Sequence, residues 1–186
     1  TALFVLASVS LWAQLKTSSW LKKELQSVKN DSFQQVLANP GLYHYQVIYT
    51  KIDRDEYNKL TFTNYYYNVD ASQYFNPAST VKMPLAFLTM EKLRQMKQTG
   101  VTKYTTIQFD SAYSKQSALT EDKTAEKNLP TLAHFIKKAF LISDNDAYNR
   151  MYEFLGQQFI NRRLPDKGYP HVRITRIFVR MTPTEH

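Results

Sequence analysis

Along the chain, apolar and polar positions alternate on three different rhythms. From Ala2 to Ala13 the sequence ALFVLASVSLWA carries no charge and then gives way to Gln14. A bilayer-spanning helix needs about 20 apolar residues, so this run is too short and reads as the hydrophobic stretch of a secretory signal, residues 1–13. An exported protein, periplasmic or extracellular, is therefore expected, without a stable membrane span. From Ser18 to Leu37, Trp20, Leu21, Leu25, Val28, Phe33 and Val36 recur among Lys and Gln, which predicts one amphipathic helix with a break at Asn30-Asp31. Asn39-Pro40-Gly41 is expected to end it. Tyr43 to Ile52 and Leu60 to Val69 are rich in aromatic and β-branched residues, and the charged stretch DRDEYNK lies between them, which is a hairpin signal. From Pro77 the rhythm turns helical again, over Thr80–Met96, Leu129–Ile142, Ala147–Leu155 closed by Gly156, and Gln157–Leu164.

The order helix, two strands, several helices predicts an α+β protein whose antiparallel sheet has been started but not finished. Composition narrows this picture only slightly. With 186 residues and 43% hydrophobic positions the chain can bury a core, and with no Cys it can be neither a disulfide scaffold nor a thiol enzyme. The net charge of +8 permits an acidic partner without selecting one.

The chemistry concentrates in YFNPASTVKMPLAFLTM, residues 74–90. From Met83 to Met90 only Thr89 is polar, so this helix is expected to be buried on nearly every face. Ser79 and Lys82 share one face of its first turn. A lysine at the edge of an apolar core and near the positive end of a helix dipole is driven toward its neutral form, and a neutral amine can take the proton of a serine hydroxyl. Ser79 is therefore a candidate nucleophile with Lys82 as its base, against the alternative of a helix cap beside a lysine. Pro84 should kink or tighten the helix just past Lys82. A second Ser-x-x-Lys, Ser19 and Lys22, falls on an ordinary amphipathic helix and reads as a surface pair. Ser143-Asp144-Asn145 lies where one apolar helix ends and another begins, where a capping turn is the simple explanation.

Taken together and in this order, Ser79-Thr80-Val81-Lys82 and Ser143-Asp144-Asn145 resemble the serine penicillin-recognising superfamily, in particular its class A β-lactamase-like branch. The resemblance runs from the first helix to His186. It implies a β-lactamase/transpeptidase-like fold, a helical lobe against an antiparallel sheet of which the first two strands are present. The implied divisions are the signal remnant 1–13, the first helix and hairpin 14–72, and a helical lobe 73–186. By the same resemblance Ser79 is acylated, Lys82 is the base or proton relay, and the Ser143 hydroxyl passes a proton toward the leaving nitrogen. Asn145 orders the lysine and the substrate amide, and Asp144 is structural. A small-molecule β-lactam or a cell-wall-type peptide is then the substrate, with no cofactor, no metal and no nucleic acid, and with a monomer as the complete form.

Two features depart from that family pattern. Its third motif, Lys-Thr/Ser-Gly on a strand, is absent, since Lys97-Gln98-Thr99-Gly100 has one residue too many and looks like a helix terminator. The chain is accordingly expected to be a C-terminally truncated piece of a larger enzyme. The family's deacylating Glu also lacks a clear counterpart. After Ser143 only Glu153, expected mid-helix and exposed, and Glu185 remain, and Glu185 is the candidate because it comes after the extended stretch VRITRIFVRMTPT. His44, His134, His171 and His186 show no metal-ligand spacing. Six basic residues between Asn161 and Arg180 keep a rival open, a non-catalytic module for an anionic polymer. An inactive fragment of the enzyme is the third alternative.

Overall fold

The computed structural model describes residues 16–112 and 116–179. The expected signal segment 1–13 and the candidate Glu185 lie outside these residues. The chain forms two compact units, Thr1–Asn76 and Pro77–His186.

In the first unit the expected single helix is two, α1 (Ser19–Ser27) and α2 (Asp31–Ala38). The break belongs to Asn30, whose side chain accepts from Phe33 N at 2.9 Å and so starts a fresh helix. Gln34 Nε2 donates back to the carbonyls of Leu25 at 3.2 Å and Val28 at 2.8 Å, satisfying the end of α1. Pro40 does not stop the chain from coiling. It opens a further single turn, α3 (Pro40–Tyr43), because proline is tolerated at the first helical position. Strands β1 (Val47–Arg54) and β2 (Leu60–Tyr67) pair antiparallel from Val47↔Tyr67 to Arg54↔Leu60. Asp55 Oδ1 accepts from Tyr57 N at 3.0 Å and Lys59 N at 2.8 Å and shapes the connection. Trp20 of α1 rests on Tyr65 and Tyr49, with ring centroids 4.6 and 5.6 Å away. Only Leu21, Leu37 and Val69 are buried apolar residues among those described in this unit.

The second unit begins with a 3₁₀ turn, Ala78–Val81, that runs into α4 (Lys82–Gln95). Pro84 therefore sits in the first turn of the α-helix proper, where proline is tolerated. The expectation of burial on nearly every face also needs correction. Leu85, Ala86, Leu88, Thr89 and Leu93 are buried, but Met83 and Phe87 are 51% and 62% exposed. Past α4, Lys97–Thr99 forms another 3₁₀ turn that stops at Gly100, whose φ of 75° is open to glycine at little cost. Thr131 caps α5 (Leu132–Leu141), Asp144 caps α6 (Asn145–Leu155), and α7 (Gln157–Asp166) starts after Gly156.

Helices α4 and α6 each feed two apolar clusters. Leu85 and Leu88 meet Tyr148, Leu155 and Ile160 in one, and Ala86 and Leu93 meet Phe135, Ala147 and Met151 in the other. Residues 171–179 form no strand. Their backbone is held by asparagine side chains instead. Asn161 exchanges two hydrogen bonds with Ile174, at 2.7 and 2.9 Å, and Asn149 exchanges two with Phe178, at 2.8 and 2.9 Å.

Candidate active site

Lys82 opens α4 and Asn145 opens α6, so two helix starts converge on one place. Lys82 is 4% exposed, whereas Ser79, Ser143 and Asn145 are exposed above it. Its Nζ lies 3.1 Å from Ser79 Oγ, 2.9 Å from Ser143 Oγ and 2.8 Å from Asn145 Oδ1, and it also donates to the backbone carbonyl of Ser143. Both turns open on a left-handed residue, Ala78 at φ 44° and Ser143 at φ 54°. That conformation is costly for a side chain bearing a Cβ and persists only where the surroundings hold it. For Ser143 the holding group is Lys82, which donates to both its carbonyl and its hydroxyl.

The donor count determines what this arrangement can do. The Ser143 carbonyl and Asn145 Oδ1 can only accept, so they take two N–H bonds from Lys82. A neutral amine then has one lone pair left, and the two neighbouring groups able to donate into it are the hydroxyls of Ser79 and Ser143. Burial lowers the Lys82 pKa below the ordinary lysine range, with the carboxylate of Asp144 pulling weakly the other way. The amine is thus biased toward the form that accepts a proton from a serine.

Asp144 caps α6 by accepting from Ala147 N at 2.7 Å. Its other oxygen stands 3.6 Å from Lys138 Nζ, and Lys138 in turn pairs with Asp122 at 3.1 Å. Asp122 is half-buried, which alone would raise its pKa. Hydrogen bonds from Thr124, Lys138 and His134 outweigh that and hold its carboxyl well below the usual range. The turn carrying Ser143 is therefore backed by Lys138, which stands between the carboxylates of Asp144 and Asp122. A cavity of about 730 Å³ opens behind it, lined among others by Tyr104, Leu129, His134, Lys138 and Asp144. Ser79 and Lys82 do not line this cavity, and Ser79 lies at the open surface.

The remaining candidates separate by their surroundings. Ser19 and Lys22 are exposed on α1, a surface pair. Glu153 is not the exposed mid-helix acid expected. Its carboxylate is 11% exposed and pairs at 3.0 Å with Arg150, a buried guanidinium that also bonds Ser117 O and Oγ at 2.8 and 2.7 Å. Charge neutralisation allows both to be buried. In the basic segment, Arg163 and Lys167 are tied to Glu91, which leaves less free charge for an anionic polymer than the sequence suggested. His134 serves Asp122 and Thr124. Among the described residues no group of three or more His, Asp or Glu gathers to hold a metal, and no helix is long and apolar enough to cross a membrane.

Sequence reasoning missed Asn149 and Phe178. The Phe178 ring lies 4.9 Å from Lys82 Nζ, measured to its centroid, and meets Tyr148 edge to face at 4.7 Å. Asn149 could have been noticed, one turn past Asn145 on the same helix. Phe178 is 29 positions further on and carries no local signal.

A family model described as the β-lactamase enzyme family (Beta-lactamase2) matches residues 29–186. Among solved structures, an ancestral (GNCA) class A β-lactamase is similar at 20% identity with a TM-score of 0.46. The match covers 77% of this chain and 52% of that one, so the chain spans about half of its length. No curated protein matches. On the extent of the family match, the chain belongs to the β-lactamase enzyme family of serine hydrolases.

Proposed function

We propose that this chain forms an acyl-enzyme on Ser79 with a β-lactam or a cell-wall-type peptide amide, and that the protein does so after export. The observation that carries the reading is the buried Lys82 amine, with two obligate acceptors fixing its N–H groups and two serine hydroxyls left for its lone pair. In the acylation step the Ser79 hydroxyl gives its proton to Lys82 as its oxygen bonds to the substrate carbonyl carbon. The tetrahedral intermediate collapses when the carbon–nitrogen bond breaks. Lys82 returns the proton through the Ser143 hydroxyl to the departing nitrogen, leaving an ester on Ser79 and a neutral amine on Lys82. Asn145 keeps the lysine oriented through both transfers. Family membership supports hydrolytic chemistry, and the choice between β-lactam and peptide rests with the substrate assay.

The test is intact-mass spectrometry of the full chain after incubation with benzylpenicillin, then peptide mapping. A single adduct on Ser79 is expected, absent in Ser79→Ala. A folded wild-type protein that takes up neither a penicillin nor a peptide ester overturns the reading.

A further inference from the structure

We propose that Lys138, at the rear of the Ser143 turn, is a positioning residue: pinned by Asp122, it holds the Asp144 carboxylate and so governs how strongly that carboxylate acts on Lys82. The inference rests on the acylation reading for its effect on rate, and not for its effect on the Lys82 amine.

Lys138 holds the turn twice. Its backbone carbonyl accepts from Ile142 N at 3.1 Å and from Asp144 N at 3.3 Å, and its Nζ stands 3.6 Å from the Asp144 carboxylate. Ser143 is the residue between Ile142 and Asp144, and Lys82 donates to its carbonyl and its hydroxyl. Lys138 and Asp144 line the cavity of about 730 Å³, whereas Ser79 and Lys82 do not, so what Lys138 does for the site it does through the turn.

The anchor lies outside the site. Asp122 Oδ2 accepts from Lys138 Nζ at 3.1 Å and faces His134 Nε2 at 3.0 Å, while its Oδ1 accepts from Thr124 N at 2.9 Å and Thr124 Oγ1 at 2.6 Å. A carboxylate held at four points does not follow the lysine, so the lysine is drawn to Asp122 and shared with Asp144. Among the described residues the charged and titratable groups meeting at Lys138 are Asp122 from the loop before α5, Asp144 at the start of α6 and, across Asp122, His134 of α5 itself. Glu126, Lys127 and Lys137 line the same cavity. Burial works against the charge on Lys138, but the two carboxylates outweigh it and raise its pKa, whereas burial lowers that of Lys82. Lys138 therefore stays a cation while Lys82 gives up its proton. The more of the Asp144 charge Lys138 offsets, the less of it favours the protonated form of Lys82.

The test follows the Lys82 amine across pH by NMR of the full chain with isotope-labelled lysines, its signal assigned by its loss in Lys82→Arg. The rate of benzylpenicillin acylation is read in parallel by intact mass. Lys138→Met leaves Asp144 without its partner, so the Lys82 midpoint should rise and acylation at pH values below it should slow about threefold. Asp122→Asn keeps an acceptor for Thr124 but frees Lys138 for Asp144, so the midpoint should fall and acylation below it should quicken about threefold. Lys138→Arg, still a cation, should keep the wild-type midpoint. In an Asp144→Asn background both shifts should vanish, because the carboxylate that transmits them is gone. A purely structural role would instead slow acylation at every pH and leave the midpoint in place. An unmoved or lowered midpoint in folded Lys138→Met overturns the proposal, as do shifts that survive intact without Asp144. Should one of the two variants not fold, the sign of the shift in the other decides. Absence of any wild-type adduct overturns the acylation reading alone, and the midpoints still judge Lys138.

Discussion

Burying the Lys82 amine comes at a cost to the fold. Its pKa is lowered by burial, so the unfolded chain binds the proton more readily than the folded one, and stability rises with pH between the folded and unfolded pKa values. At neutral pH the lysine therefore subtracts from stability. Lys82→Met should abolish penicillin acylation and leave the midpoint of thermal unfolding unchanged or raised, by up to about 1 to 2 kcal/mol in stability terms. A clear fall in that midpoint, read by circular dichroism, would count against a strained lysine. The Asp144 carboxylate raises the Lys82 pKa, so Asp144→Asn, which can still cap α6, should move the acylation profile to lower pH. A shift to higher pH would show that the carboxylate does not act on the amine. The serine and lysine of this site were legible because a motif fixes them locally. The strain at Ala78 and Ser143 was not, since a left-handed residue that is neither Gly nor Asn leaves no mark in the sequence.

Helix starts carry the site, and caps carry the helix starts. Asn30 and Asp144 use the same device, a side chain accepting from a backbone N–H three residues on, at 2.9 and 2.7 Å. Replacing either by Ala should cost about 1 kcal/mol of stability. Only Asp144→Ala should also slow acylation, because only that cap holds the turn of Ser143. Equal acylation in the two variants would uncouple the cap from the chemistry. Period and composition revealed α5, α6, α7 and the hairpin, whose apolar patterns are strong. They failed at α4, where Met83 and Phe87 look like core residues yet face solvent, because hydrophobicity alone does not say which side of a helix finds a neighbour. They also failed at Arg150, a buried charge that becomes intelligible once Glu153 and Ser117 are seen around it.

Over the whole molecule the two units differ in how much they bury. Unit 1 has three buried apolar side chains among its described residues and a two-stranded sheet with Ile48, Ile52 and Phe62 more than half exposed. A sheet of two strands is marginal by itself in water. Hydrogen exchange should accordingly be faster at the amides of β1 and β2 than at those of α4 and α6, whose side chains fill both clusters. Protection of the hairpin equal to that of α4 would mean that something beyond its own core stabilises it. The hairpin was legible from its residues, whereas this imbalance needed the burial of each side chain.

The sharing of α4 and α6 between two clusters makes the spacing of the reactive groups a property of packing volume. A change at Leu88 or Met151 touches no reacting atom, yet it alters how the helix bearing Lys82 lies against the helix bearing Asn145. Sequence drift in this fold is then free at the surface and paired in the core: a residue lost from one helix must be matched in size on the other for the lysine to stay within reach of both serines.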